Sequence, residues 1–243
     1  MKTTPTTMGS KISVVLASTL HDPENRISKL IEGSHQALER LFKSTIVVTT
    51  PNTPTKTHAL LNSLGIEVHK GGETVINTYR TALKRAAERN PEHTFHCDFD
   101  RILHWVKAYP EELAEATVTH INHDLVLYGR THRAFQTHPE TQTTTEATAN
   151  RIASHILGFP KTRDLISACW RLTPRLAQSI LSLPTPNKYG FYIEWPIYAW
   201  REAENPVYIE VEGLEWETPD RYLPEIREKG YEKWLQSFQT PRE

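Results

Sequence analysis

The chain has 243 residues, which suits one large α/β domain or one domain with an elaborated C-terminal part. Lys and Arg total 28 and Asp and Glu total 29, so no overall electric field favours nucleic acid or a bilayer surface as a partner. The two cysteines, Cys97 and Cys169, are too few for a disulfide framework or a zinc cluster, and they predict a reducing, cytoplasmic setting.

The chain shows no targeting or membrane-spanning pattern. Residues 1–10 are rich in Thr and lack the apolar centre of a signal peptide, so we expect a disordered tail there and a single domain over 11–243. No run of about 18 apolar residues occurs that would predict a transmembrane helix.

Short β-rich runs alternate with amphipathic helices over the first two-thirds of the chain. This alternation is typical of a mainly parallel sheet with helices on both faces. Five strands are predicted, at 12–17, 45–49, 66–69, 94–98 and 124–128.

Capping residues mark the predicted helices between these strands. Asp22 is expected to cap a helix that begins at Pro23 and runs to about residue 43. Gly65 suits the left-handed end of a short helix. Further helices are expected at 75–90 and at 102–118, the latter interrupted at Pro110.

The C-terminal third has weaker patterns. Residues 131–143 are polar without an apolar period, which predicts a mobile surface loop, and Thr143 with Glu146 fits a capping box for a helix reaching Ile156. Ordered segments follow at 166–170, 174–183 and 207–211, and then a closing helix that contains Trp234 and Phe238.

Asp98 and Asp100 carry the strongest chemical signal in the sequence. They stand at i and i+2 where a predicted strand ends, and open α/β sheets bind ligands at the carboxyl ends of their strands. Mg²⁺ or Mn²⁺ is held by one or two carboxylates together with substrate phosphates. The pair therefore predicts a metal site, although Asp100 could instead cap the next helix.

The chain resembles the family-2 glycosyltransferases, and among them the polyprenyl-phosphate mannosyltransferase-like group. Six segments between residues 12 and 221 follow the order of that family's motifs. They are Asp98-Phe99-Asp100, Pro110-Glu111-Glu112-Leu113, Tyr128-Gly129-Arg130, Asp164-Leu165-Ile166-Ser167, Gly190-Phe191-Tyr192-Ile193-Glu194, and Glu210-Val211 followed by Arg221.

The resemblance implies a GT-A-like domain that transfers a hexose from a nucleotide diphosphate sugar with Mg²⁺ or Mn²⁺. It implies that Asp98 and Asp100 hold the metal and the diphosphate. The acceptor would be a small molecule or a lipid phosphate.

Four further residues receive roles from this resemblance. Arg130 and Arg221 are expected to bind phosphate, Glu194 to contact or deprotonate the acceptor, and Asp164 to position it. Each has a plain alternative: surface ion pairing for the arginines, and pairing with the adjacent Arg163 for Asp164. Glu194 stands among aromatic residues, so a partner is expected for its charge.

Three departures from the family pattern affect the donor. Residues 17–22 replace the family's Pro-x-Tyr-Asn-Glu, and residues 50–53 replace its nucleoside-binding Asp-Asp-Gly-Ser. Ile102 stands where a third metal ligand sometimes occurs. Recognition of the base is therefore expected to differ.

Two other functions remain open from the sequence. A sugar-phosphate nucleotidyltransferase would share the layered sheet and the metal-phosphate chemistry, but residues 20–26 lack the glycine-rich basic loop of such enzymes. A non-catalytic carbohydrate-binding relative would explain the missing nucleoside-binding acids.

Overall fold

The computed structural model describes residues 13–185 and 189–216. This part of the chain contains seven strands: β1 (Val14–Leu20), β2 (Ser44–Thr49), β3 (Glu67–Lys70), β4 (His93–Asp98), β5 (Leu125–Arg130), β6 (Trp170–Leu172) and β7 (Pro206–Val211). It also contains nine helices: α1 (Ser28–Leu41), α2 (Thr55–Ser63), α3 (Val75–Ala87), α4 (Phe99–Ala108), α5 (Pro110–Val118), α6 (His132–Gln136), α7 (Glu140–Ile156), α8 (Pro174–Ser182) and α9 (Phe191–Glu202).

All seven strands form one mixed sheet in the order β3-β2-β1-β4-β6-β5-β7. β6 runs antiparallel to both of its neighbours, and the other pairs are parallel. The carboxyl ends of the six parallel strands therefore lie at one edge of the sheet, which we call the carboxyl edge.

Side chains that alternate along the strands enter cores on opposite faces of the sheet. Val14 and Leu16 pack in the core that contains α1, α4 and α5, while Val15 and Ala17 pack against α3. Leu125 and Leu127 share a third cluster with α8 and α9. The predicted α/β class, a mainly parallel sheet with helices on both faces, is confirmed.

The boundaries of the first helices agree with the sequence in part. Gly65 has φ +73° and follows α2, as predicted, and Pro110 begins α5 after the expected break. α1 begins at Ser28, five residues after Pro23. The carboxylate of Asp22 accepts the backbone N–H groups of Arg26 and Ile27 and so orders the turn before the helix.

The mobile loop expected at 131–143 is wrong, because this segment forms α6 and the beginning of α7. The Thr131 hydroxyl accepts the N–H of Ala134 and caps α6. α7 begins at Glu140, so Thr143 is inside it and donates to the carbonyl of Glu140 instead of forming the predicted capping box.

Several expectations lie outside the described residues. These are the tail at 1–10, the closing helix with Trp234 and Phe238, and Arg221. The extent of the domain, 11–243, therefore stays a prediction. Among the described helices, none combines the length and the apolar character needed to cross a bilayer.

Candidate active site

A cavity of about 350 Å³ opens at the carboxyl edge of the sheet, and we call it the acidic cavity. The ends of β1, β2 and β4, the first turns of α3 and α4, and the beginning of α9 supply its walls. The described residues that line it are Thr19, Leu20, His21, Thr50, Val75, Thr78, Tyr79, Asp98, Asp100, Tyr189 and Tyr192.

Asp98 is fixed by two hydroxyl groups that donate to the same oxygen. Oδ1 accepts from Thr19 Oγ1 at 2.7 Å and from Tyr79 OH at 2.5 Å. Oδ2 lies 4.0 Å from Nε of Arg101, and a quarter of the side chain is exposed. Although Asp98 precedes α4, its carboxylate makes no capping hydrogen bond to that helix.

Asp100 both stabilises the first turn of α4 and lines the acidic cavity. It lies in the first turn of α4, where its Oδ1 accepts the N–H of Arg101 at 2.9 Å. An acid is favourable there because the helix dipole is positive at that end. The half-buried carboxylate also lines the acidic cavity, so the alternative of helix support does not remove it from the site.

The acids of the cavity suit a hard divalent cation. The described residues contain no group of three or more His, Cys, Asp and Glu side chains that could hold a metal ion. Two carboxylates in one cavity are what Mg²⁺ or Mn²⁺ uses when substrate oxygens and water complete its coordination. The residues present therefore fit a cation that binds together with a phosphate ligand.

The sequence analysis missed Thr19, Tyr79 and Tyr189 in this site. Tyr79 is buried, and burial followed by the charge of Asp98 raises its pKa well above the usual value, so its hydroxyl remains a donor. The signal for Thr19 was available, because a hydroxyl at the end of β1 must lie beside the end of β4. Tyr79 occupies an apolar helix face, which indicated only a core position.

Tyr189 and Tyr192 form an aromatic wall of the cavity. Their rings stack at 6.4 Å between centroids with an interplanar angle of 15°, and Tyr189 is 65% exposed. Exposed aromatic faces of this kind bind flat or apolar ligand surfaces, such as a base or a sugar ring. By contrast Trp195, three residues further on, is fully buried in the core.

The part of the cavity at the ends of β1 and β2 carries neutral polar groups. His21 Nδ1 and Thr50 Oγ1 lie 2.8 Å apart and share a hydrogen bond. These two residues occupy the region where the family pattern places nucleoside-binding acids. The described groups that line this part of the cavity are thus a hydroxyl and an imidazole instead of carboxylates.

Arg130 and Asp164 contact each other inside the protein. Arg130 donates from its backbone N and from Nε to Oδ2 of Asp164, at 3.0 and 2.6 Å, and from Nη2 to Oδ1 at 2.9 Å. Glu146 and His138 accept the remaining guanidinium hydrogen bonds, and Asn150 donates to Asp164. We call these five residues the buried polar cluster.

The charges of the buried polar cluster compensate each other. Burial alone would raise the pKa of Asp164, but Arg130 lowers it below its usual value. Burial, together with the charges of Arg101 and Arg130, lowers the pKa of His138 to about 3. His138 is therefore neutral, so its Nδ1 accepts from Arg130 while Nε2 donates to the carbonyl of Leu214.

This pairing changes the interpretation of both residues. Arg130 and Asp164 line a different cavity of about 270 Å³ at the ends of β5 and β7. Since the Arg130 side chain is buried and each of its three guanidinium nitrogens already bonds within the protein, it does not present a bidentate pair of donors to a phosphate in the acidic cavity. The alternative partner of Asp164, Arg163, instead pairs with Glu210 at 3.0 Å.

Glu194 lies in the first turn of α9 and is exposed. The charge of Glu194 does not need the partner that the sequence led us to expect, because the neighbouring Phe191 and Trp195 turn into the core while Glu194 is exposed. Glu194 does not line the acidic cavity. Its helix nevertheless supplies Tyr192 to that cavity.

The protein has similar solved structures but no match by sequence. No family model matches the sequence, and no curated protein matches it. The chain is similar to crystal structures of glucosyl-3-phosphoglycerate synthase from Mycobacterium tuberculosis. One has TM-score 0.54 and 15% identity over 82% of this chain and 71% of that chain.

Two structures of the same synthase with bound ligands are similar to this chain to the same degree. One contains Mn²⁺, UDP and phosphoglyceric acid, with TM-score 0.53 and 15% identity over 82% of this chain and 68% of that one. The other contains Mn²⁺, UDP-glucose and glycerol 3-phosphate, with TM-score 0.52 and 15% identity over 82% and 70%. At this identity the likeness establishes the fold, and it confirms the expected GT-A-like architecture.

Proposed function

We propose that the protein is a metal-dependent glycosyltransferase that moves a hexose from a nucleotide diphosphate sugar to an acceptor hydroxyl. One observation carries the proposal. Asp98 and Asp100 line one cavity at the carboxyl edge, and no described residue that lines this cavity is Lys or Arg. Two carboxylates alone would repel a diphosphate, so its binding in this cavity requires a divalent cation, which Asp98 and Asp100 would hold.

The cation would supply Lewis-acid stabilisation of the departing diphosphate. Asp98 and Asp100 would hold it through their carboxylate oxygens, and both Mn²⁺ and Mg²⁺ suit such a site. The presence of Mn²⁺ with UDP in the structurally similar synthase favours Mn²⁺ as the first ion to test.

Other residues are proposed to contact different parts of the nucleotide-sugar donor. His21 and Thr50 offer hydrogen bonds to the nucleoside, in place of the missing acids. Tyr189 and Tyr192 offer ring faces for stacking. Arg221 stays a proposed phosphate ligand, by resemblance to the closing arginine of the family-2 motifs.

Glu194 keeps its proposed role at the acceptor, whereas the proposed role of Asp164 changes. Glu194 is exposed, so it is free to turn toward an acceptor and accept its proton. Asp164 touches no open part of the acidic cavity, and we assign it the positioning of β5 through Arg130.

The acceptor is proposed to be a small molecule. The similar synthase was crystallised with phosphoglyceric acid and with glycerol 3-phosphate, which are compact phosphate compounds. A lipid phosphate, as the polyprenyl-phosphate resemblance implies, is the alternative. The cytoplasmic setting stays a prediction that suits two buried free thiols, Cys97 and Cys169.

Calorimetric titration with UDP-, GDP- and dTDP-sugars, with and without Mn²⁺, tests the proposal. Binding that requires Mn²⁺, followed by release of nucleoside diphosphate with an acceptor panel, supports glycosyl transfer. Release of pyrophosphate from a nucleoside triphosphate would indicate a nucleotidyltransferase instead. Sugar binding that is indifferent to the metal, without turnover, would indicate a non-catalytic carbohydrate-binding protein.

A further inference from the structure

The two oxygens of the Asp98 carboxylate have different surroundings. Oδ1 accepts two short hydrogen bonds, from Thr19 Oγ1 at 2.7 Å and Tyr79 OH at 2.5 Å. Oδ2 lies 4.0 Å from Nε of Arg101, a separation longer than a hydrogen bond. One oxygen is therefore occupied by hydroxyl donors, and the other keeps lone pairs for a further ligand.

The sheet itself places the first hydroxyl. Thr19 and Asp98 are direct partners in the parallel pairing of β1 with β4. Side chains of paired residues point to the same face of a sheet, so the two must lie side by side. A shift of one residue in this register would turn one of them to the other face.

The core places the second hydroxyl. Tyr79 is 3% exposed, and its ring lies 4.9 Å from that of His96 and 5.0 Å from that of Phe191, between ring centroids. α3 carries Tyr79, and α9 carries Phe191. The phenol ring on α3 is thus packed against β4 and α9, which fixes the position from which its hydroxyl donates to the carboxylate.

We infer that Thr19 and Tyr79 are positioning residues that hold Oδ1 of Asp98 and leave Oδ2 as the oxygen that binds the divalent cation. The inference rests on the proposed function and deepens it. Two donors on one oxygen fix the rotation of the carboxylate and favour metal binding through one oxygen only. Partners that orient a metal ligand in this way typically change metal affinity about 10- to 100-fold when removed.

The test measures Mn²⁺ binding directly, by the loss of the free-ion electron paramagnetic resonance signal, with Mn²⁺ alone and then with UDP. Tyr79→Phe and Thr19→Val each remove one hydroxyl with little change in volume. We expect each to weaken Mn²⁺ binding about 10-fold or more relative to the unmodified chain. Thr19→Ser keeps the hydroxyl and is expected to bind Mn²⁺ like the unmodified chain.

Tyr128→Phe is the matched control for Tyr79→Phe. The Tyr128 hydroxyl is also buried, but it donates to the carbonyl of Ala116 away from the acidic cavity. The control should lose stability without losing Mn²⁺ affinity. Circular dichroism of each variant separates a folding defect from a metal defect, and if Tyr79→Phe fails to fold, the comparison of Thr19→Val with Thr19→Ser decides.

The possible outcomes separate a failure of the positioning role from a failure of the proposed metal-dependent transfer. If the unmodified chain binds Mn²⁺ and folded Tyr79→Phe and Thr19→Val bind it equally well, the positioning role is refuted while the metal site stands. If the unmodified chain binds no Mn²⁺, with or without UDP, both the inference and the proposed metal-dependent transfer are refuted.

Discussion

Arg130 donates from Nε and Nη2 to the two carboxylate oxygens of Asp164, although 34 residues separate them in the chain. Arg130 ends β5, and Asp164 lies in the segment before β6. Glu146 reaches the same guanidinium from α7. Two ion pairs of Arg130 thus connect α7 and the segment before β6 to the end of β5.

Removal of either member of this pair should destabilise the fold. Arg130→Met leaves Asp164 buried without its main partner, and the expected loss in the free energy of unfolding is about 3–5 kcal/mol, measured by urea denaturation. Arg163→Met, which breaks the more exposed pair with Glu210, should cost at most about 1 kcal/mol. Equal losses for the two variants would contradict this difference.

Two buried histidines should make the protein less stable in mild acid. Burial lowers the pKa of His138 to about 3 and that of His96 to about 4, whereas the unfolded value is 6.5. Below pH 6.5 these two histidines bind protons in the unfolded chain but remain neutral in the folded chain. The free energy of unfolding should therefore fall from about pH 6.5 downward, by about 1.4 kcal/mol per pH unit for each histidine.

Urea denaturation at pH 7.0, 6.0 and 5.0 checks this pH dependence. His138→Gln should flatten the slope, because glutamine can supply an acceptor and a donor without titrating. His155→Gln, a change at an exposed histidine, is the matched control and should retain the slope of the unmodified chain. If His138→Gln leaves the slope unchanged, His138 is not a source of the pH dependence of the free energy of unfolding.

The two acids of the cavity should be needed for activity and not for folding. Asp98→Asn and Asp100→Asn should each abolish glycosyl transfer while the melting temperature changes little, because the asparagine oxygen can still accept the hydrogen bonds of Thr19 or Arg101. The measurement is release of nucleoside diphosphate in the presence of Mn²⁺. Glu111→Gln, at an exposed acid on α5, should behave as the unmodified chain does. Full turnover in the double variant would eliminate the proposed site.

Glu194→Gln tests the proposed acceptor base. Loss of a positioned base lowers kcat about 100-fold or more, and the exposure of Glu194 means that stability should be unaffected. Glu202→Gln changes an exposed acid at the other end of the same helix, so it should leave kcat unchanged. If Glu194→Gln raises KM alone, the residue binds the acceptor without taking its proton.

The strands and the acid pair were predictable because their signals are local. Runs such as 45–49 are apolar and β-branched, and Asp98 follows such a run directly. Positive φ at Gly65 follows from its place after a helix. Where the sequence alone decides the conformation, the expectation and the structure agree.

The sequence analysis missed features that depend on contacts between distant segments. The helix reaching Ile156 was expected, but α6 and the first residues of α7 were not, because residues 131–143 are polar without an apolar period. α7 is anchored by Asn150, Ala153 and the pairing of Glu146 with Arg130, which are contacts that the local pattern does not show. α9 is aromatic on several sides and contains Pro196, so no helical stripe was visible. The partner of Asp164 was likewise hidden, because the adjacent Arg163 was the nearer candidate by sequence.

The reversed direction of β6 has a consequence for how such a protein can diversify. Asp98 and Arg130 end strands that are two inter-strand spacings apart, roughly 10 Å, and the segment 164–169 descends through this gap to begin β6. Lengthening or shortening that segment would change the side chains that fill the space between the two strand ends without disturbing the hydrogen-bonded ladder. Substrate choice could thus evolve in a short connection while the scaffold stays the same.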